Sequence, residues 1–161
     1  MKEFSELYRL YSGKIYKYLL YLTCNKHDAE ELLQETFFQA FKSISRFKGE
    51  SSISTWLFSI ARNVYLKKYN SDKKRNEISL EIENIMGISK SPLDELEEKE
   101  EEYRILKAIN LLNEPYRQVV ILRTLNELSF REIGEILNKN ENWARVTFYR
   151  GKAKLGKELY L

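Results

Sequence analysis

The sequence predicts an all-α protein: two small helical domains joined by a polar linker, the second of them a helix-turn-helix domain. Three observations carry that prediction. Apolar residues recur at three- and four-residue spacing along most of the chain, the period of a helix with one buried face. Only six Gly and two Pro occur in 161 residues, too few to turn the many short strands of a sandwich or barrel. The period is lost once, over residues 71–95, where Asn, Ser and Lys are followed by Gly87, Ser89, Ser91 and Pro92. The expected domains are therefore 1–70 and 96–161, with residues 71–95 as the linker.

The first domain reads as three helices. Residues 3–22 place Phe4, Leu7, Tyr8, Tyr11, Ile15, Tyr18, Leu19 and Leu22 on one face. A turn over Asn25 to Asp28 follows. Asp28 reads as an N-cap with Glu31 three residues on, the pattern of a capping box. The second helix would bury Ala29, Leu32, Leu33, Thr36, Phe37, Ala40 and Phe41 and fade near Phe47-Lys48-Gly49. After the loop Gly49-Glu50-Ser51-Ser52, a third helix would bury Ile53, Trp56, Leu57, Ile60, Ala61 and Val64 and run to about Tyr69.

In the linker a short helical turn is expected around Leu80 to Ile85. The acidic run Glu95 to Glu102 starts the next helix, because carboxylates are favoured at a helix N-terminus. That helix continues through Tyr103, Leu106, Ile109 and Leu112. Asn113-Glu114-Pro115 ends it and opens another that carries Val119, Val120, Leu122, Arg123 and Leu125 to Asn126. Ser129-Phe130-Arg131-Glu132 is a second capping box.

Composition excludes several classes. No apolar run approaches membrane-spanning length, and the N-terminus Met1-Lys2-Glu3-Phe4-Ser5 has no apolar signal core, so a cytoplasmic protein is expected. The one cysteine, Cys24, permits no internal disulfide and reads as a small buried hydrophobe. His27 has no Cys or His nearby. No nucleophile with a base, no phosphate-binding glycine loop and no metal-ligand cluster is present. The chain is thus not expected to be an enzyme, and no cofactor, metal or small-molecule substrate is expected. Charge is uneven: residues 1–70 hold 11 basic and 7 acidic groups, residues 71–115 hold 7 and 12, and residues 116–161 hold 9 and 5. Two basic ends around an acidic middle suit two nucleic-acid contacts.

The strongest functional pattern spans Leu128 to Leu155. A helix of about nine residues from Ser129 ends at Leu137-Asn138-Lys139-Asn140, and a long helix follows from Glu141 to about Tyr160. Two helices joined by such a turn form a helix-turn-helix, and Asn138 suits the left-handed residue the turn requires. Ala144, Phe148, Gly151 and Leu155 share the inner face of the last helix. Asn142, Trp143, Arg145, Val146, Thr147, Tyr149, Arg150, Lys152 and Lys154 are left to face outward. Asn, Arg and Lys donate to base edges, and Thr and Val pack on thymine methyls. The later Arg and Lys suit phosphates, which give affinity and register but no sequence reading.

These residues carry a family resemblance. Leu128-Ser129-Phe130-Arg131-Glu132-Ile133-Gly134-Glu135-Ile136-Leu137, followed by Trp143-Ala144-Arg145-Val146-Thr147-Phe148-Tyr149-Arg150-Gly151-Lys152-Ala153-Lys154-Leu155, resembles region four of bacterial sigma factors. Asp28-Ala29-Glu30-Glu31-Leu32-Leu33-Gln34-Glu35-Thr36-Phe37 resembles the region-two helix that docks on core RNA polymerase. Arg46-Phe47-Lys48-Gly49-Glu50-Ser51-Ser52 with Thr55-Trp56-Leu57 and Ile60-Ala61-Arg62-Asn63 resembles the loop and helix that read the minus-ten element. The small size points to the extracytoplasmic-function (ECF) subgroup.

The resemblance implies a subunit that binds core RNA polymerase, directs it to promoter DNA and helps open the duplex. Asp28, Glu31, Leu32, Gln34 and Glu35 would then dock on polymerase. Arg46, Lys48, Ser51 and Ser52 would form a base-capturing loop, and Arg62, Asn63, Lys67 and Lys68 would line the displaced strand. Trp56 favours core over base stacking, and Phe47 a packing role. Arg131 would join the outward residues of the last helix at the minus-thirty-five element, with Asn142, Arg145, Val146, Thr147 and Tyr149 as readers. Relatives often carry Ser and Arg where this chain has Val146 and Thr147, and a small residue where it has Trp143. Trp143 could wedge against the DNA backbone or pack beside the first helix of the motif. An anti-sigma factor, often membrane-anchored, is a further partner implied by the subgroup.

Overall fold

A computed structural model describes residues 2–69 and 92–160. The described residues form helices and no strand. The first half holds α1 (Lys2–Thr23), α2 (Lys26–Ser43), a single 3-10 turn (Ile44–Arg46) and α3 (Ile53–Lys68). The second holds α4 (Pro92–Leu111), α5 (Tyr116–Val120) continued by a π-helical turn (Ile121–Leu125), α6 (Phe130–Ile136) and α7 (Glu141–Tyr160). The expected helical turn at Leu80 to Ile85 lies outside the described residues. Helix α4 begins at Pro92, inside the stretch read as linker; proline is tolerated there because the first helical N–H has no partner to lose.

The start of α2 corrects the sequence reading. Its cap is Asn25, whose side chain accepts from the Asp28 N–H at 2.9 Å. Cys24 reverses the chain with φ 52°, and its N–H still reaches the Leu20 carbonyl at 2.7 Å. The helix therefore starts at Lys26, and Asp28 sits inside the first turn, where its carboxylate accepts from the Tyr69 hydroxyl. Ser52 caps α3 by accepting from the Thr55 N–H at 3.1 Å. The capping box at Ser129 and Glu132 forms in both directions. Losing its hydroxyl, Ser129→Ala should destabilise the fold by about 1 kcal/mol, measured as a shift of the urea midpoint at unchanged slope.

The halves share one core. Ile15, Leu19, Leu22, Leu57 and Phe58 pack in the same buried cluster as Ile109, Val119, Ile121, Leu122, Ile133 and Ala144. This contact explains a second correction. The stripe expected on α3 was Ile53, Trp56, Leu57, Ile60, Ala61 and Val64, but Ile53, Trp56, Ile60 and Val64 are only half-buried. The deeply buried residues are Thr55, Leu57, Phe58, Ala61 and Tyr65, because α6 also packs on α3 and covers a second face.

Polar groups cross this contact and are paired. The Tyr18 hydroxyl donates to Gln118 Oε1 at 2.7 Å, with Tyr18 fully buried. Burial pushes the Tyr18 pKa well above its usual value, so the hydroxyl stays a donor. Arg117 is also fully buried. Its Nη2 donates to the Leu22 carbonyl at 2.5 Å and to Asn110 Oδ1 at 2.8 Å, and Nε donates to the same Asn110 oxygen at 3.0 Å. Its Nη1 lies 3.3 Å from Glu114 Oε1 and 3.5 Å from the Tyr65 hydroxyl. Burial disfavours the charge on Arg117, but Tyr65 and Glu114 beside it outweigh that and hold its pKa up.

Candidate nucleic-acid interface

The helix-turn-helix is set by two close backbone features. Asn138 adopts φ 58°, the left-handed conformation expected of it. Lys139 N–H then returns to the Gly134 carbonyl at 2.7 Å. A Cβ on Gly134 would lie 2.8 Å from both the Lys139 and Asn140 carbonyl oxygens, so only glycine allows α6 to approach the turn this closely. Asn140 caps α7 by accepting from the Trp143 N–H at 2.7 Å.

Helix α7 presents most of the expected readers to solvent. Asn142, Arg145, Val146, Tyr149, Arg150, Lys152 and Lys154 are exposed, as is Arg131 on α6. Tyr149 and Val146 are exposed apolar groups beside these cations. Arg145 pairs with Glu141 at 3.2 Å and Arg131 with Glu135 at 3.5 Å, each one helical turn away. The Lys154 ammonium lies 5.1 Å from the centre of the Tyr116 ring.

Thr147 departs from the outward set. It is 6% exposed. It stands three residues after Ala144 and four before Gly151, both buried, and so falls on the inner face. In this arrangement Thr147 offers no methyl to a base. Trp143 is half-buried against the core with the Lys139 ammonium 5.5 Å from its ring, which favours the packing alternative over a free wedge.

Sequence reasoning missed one cation here. Arg123 lies 4.0 Å from the centre of the Phe130 ring and donates to the Leu128 carbonyl at 3.0 Å. Its position among Val119, Val120, Leu122 and Leu125 made it read as part of a helix stripe. The one available signal was that a charged residue stood in that stripe.

The first half holds a second candidate surface. The loop from Phe47 to Ser52 turns at Gly49, φ 73°, and is tied to α3 by the Phe47 ring, 5.0 Å from that of Trp56. Phe47 and Trp56 thus pack on each other, in line with the expected packing roles. Arg46, Lys48 and Ser52 are exposed and Ser51 is half-buried. Along α3, Asn63, Lys67 and Lys68 are exposed. Arg62 is half-buried, with a buried Nε that has no hydrogen-bond partner among the described residues.

A groove between α2 and α3 brings two expected sites together. Glu31, Glu35 and Gln39 line one wall, and Asn63, Lys67 and Lys68 the other. Lys68 pairs with Glu31 across it, and His27 lies 3.4 Å from the same Glu31. Gln34 and Glu35 are exposed, and Gln39 donates to Glu35 at 2.7 Å. Asp28 is half-buried under Tyr69. Leu32, expected at the polymerase contact, is 2% exposed. It faces the core at the α2 period and reaches the surface only as part of the groove lining. A second hollow joins the halves, with Gly49, Glu50, Ser51, Ser52 and Thr55 facing Arg131, Glu132 and Glu135.

The described residues thus hold a helix-turn-helix with a basic outer face and a capped helix pair with a basic loop, and a helix-turn-helix is an architecture that reads duplex DNA. Comparison with known proteins makes the class specific. Residues 7–75 match the family model "Sigma-70 region 2" and residues 103–155 match "Sigma-70, region 4". The chain is 32% identical over 160 residues to the RNA polymerase sigma factor YlaC of Bacillus subtilis, covering 96% of this chain and 90% of that protein. It is also 32% identical to the ECF RNA polymerase sigma factor SigM of the same organism, over 96% and 93% of the two chains. In fold it resembles the sigma factor RpoE of Bartonella quintana, solved with the anti-sigma factor NepR, at a TM-score of 0.75 and 21% identity over 100% and 99% of the chains. The chain belongs to the ECF group of sigma-70 family sigma factors, the non-catalytic subunits of RNA polymerase that serve promoter-specific initiation. Among the described residues, no helix is long and apolar enough to cross a membrane.

Proposed function

We propose that this chain binds core RNA polymerase and grips a promoter at two elements, minus thirty-five through α7 and minus ten through the loop Arg46–Ser52 and α3. The observation that carries this reading is the exposed row Asn142, Arg145 and Tyr149 on a helix fixed by the Gly134–Asn138 turn. Such a row fits the major groove, where Arg donates two N–H groups to guanine and Asn bonds adenine. Lys152, Lys154, Arg150 and Arg131 would hold flanking phosphates.

At minus ten the duplex must open. Extruding a base costs a few kcal/mol, which a pocket recovers by hydrogen bonds and stacking. Ser51 and Ser52 supply hydroxyls beside Arg46 and Lys48, and Asn63, Lys67, Lys68 and Arg62 would track the strand backbone. Docking on polymerase falls to the exposed Glu31, Gln34 and Glu35, with Asp28 and Leu32 holding α2 in place beneath them. A cytoplasmic location follows from that work. An anti-sigma factor is a further proposed partner, supported by the structural neighbour solved with one.

Transcription in vitro with purified core polymerase tests the reading. Promoter-specific starts on genomic fragments are expected, and their absence from every fragment tried would sink it. A regulator acting without polymerase is the competing class; tight, specific gel shifts by the chain alone would favour it. Two substitutions separate the DNA contacts. Arg145→Ala should lose about 1–3 kcal/mol of discrimination at one base position. Lys154→Ala should weaken all sequences alike and lower the slope of log affinity against log salt by about 0.9. A uniform loss for Arg145→Ala would reassign it to phosphate.

A further inference from the structure

Phe130 opens α6 where that helix meets α7, and its ring sits beside two guanidinium groups. Arg123 lies 4.0 Å and Arg145 5.4 Å from the same ring centre. The ring is flanked by Phe148 at 5.6 Å and Tyr149 at 6.2 Å, and those two rings meet edge-on at 5.3 Å. Arg123 is the anchored cation, held by the Leu128 carbonyl at 3.0 Å. Arg145 is exposed, and its other partner is the exposed Glu141 at 3.2 Å.

The two partners of Arg145 act on it differently. A carboxylate occupies N–H donors. An aromatic ring attracts the cation through its π face and uses none of them. Bidentate recognition of guanine needs two N–H groups free on one edge of the guanidinium. Contact with Phe130 is thus compatible with reading a base, whereas full engagement with Glu141 competes with it.

We propose that Phe130 is a positioning residue for base recognition, holding Arg145 at the head of the reading helix with its donor edge free for the groove. The inference rests on the reading of Arg145 as a base contact. Phe130 itself need touch no base. It narrows the directions Arg145 samples before binding, so less freedom is lost when the contact forms.

The test uses reconstituted holoenzyme and a duplex pool randomised across the upstream element. Selection is run with the unsubstituted chain and with Phe130→Leu, Phe130→Tyr, Arg145→Ala and the Phe130→Leu/Arg145→Ala double variant. Phe130→Leu is expected to lower the base preference two- to fivefold, the size of an exposed cation–π contact. The loss should fall only at the position whose preference Arg145→Ala removes. Phe130→Tyr keeps the ring and should keep the preference. The Phe130 effect should vanish in the Arg145→Ala background, and the salt slope should not change. Losses spread over all positions, or a Phe130 effect undiminished without Arg145, would overturn the proposal in favour of a merely structural ring. If Arg145→Ala alters no position, the base-contact reading of Arg145 fails and this inference falls with it.

Discussion

Arg117→Ala is expected to destabilise the protein by about 3–5 kcal/mol, from unpaired buried acceptors at about 1–3 kcal/mol each together with the cavity left behind. The substitution strips the Leu22 carbonyl and Asn110 Oδ1 of donors at 2.5–3.0 Å. Arg117 itself is fully buried and the Leu22 carbonyl belongs to a fully buried residue, while Asn110 is half-buried. Arg117→Met separates the two contributions. It restores much of the volume but leaves the acceptors unpaired, so it should recover only part of the loss. Urea denaturation of the three proteins measures this, and equal stability of Arg117→Met and the unsubstituted chain would show that the hydrogen bonds contribute nothing net. Tyr18→Phe removes a single neighbouring bond, that to Gln118, and should cost less than either.

Gly134→Ala is the second large effect, and its main readout is DNA recognition. The new methyl would stand 2.8 Å from two carbonyl oxygens of the turn, and backbone cannot rotate away as a side-chain tip can. Overpacking of this kind costs about 1–3 kcal/mol. Relief requires the turn to move, and Asn140, the cap of α7, moves with it. The reading helix should then tilt, and promoter selectivity should fall more steeply than stability does. Gly13→Ala supplies the control. Gly13 lies inside α1 with nothing within 4 Å of its would-be Cβ, so alanine there should stabilise by about 0.5–1 kcal/mol. Opposite signs at the two glycines are expected in thermal melts, and a stabilising Gly134→Ala would remove the close approach as an explanation of the motif.

Much of the secondary structure could be read from the sequence, because apolar residues recur at helical spacing along most of the helices and one helix is announced by a serine cap. The serine at Ser129 carried its glutamate three residues on, and the box formed. At α2 the same pattern misled, since Asp28 and Glu31 match a capping box while the true cap, Asn25, depends on the left-handed Cys24 before it, and nothing about a cysteine signals that conformation. The contact between the halves was not legible. Arg117 and Gln118 are residue types that read as solvated, and only the arrival of α1 and α3 makes them interior. For the same reason Phe58 and Tyr65 fell outside the stripe assigned to α3. At the candidate DNA surface the chemistry of Arg145, Asn142 and Tyr149 was readable from type and spacing. Thr147 was not, because a small hydroxyl residue fits either face and its neighbours Ala144 and Gly151 decide the matter.

Arg117 belongs to two structures at once: it completes the polar interior of the second half and terminates a carbonyl of the first. The arrangement of the halves is therefore a thermodynamic variable in every association the protein makes. A binder that accepts the halves as they stand keeps the Arg117 and Tyr18 bonds, and one that needs them apart must break them. By reciprocity, whichever binds first weakens the other by a common factor. Two ligands that each required a different arrangement would thus compete without sharing a contact residue.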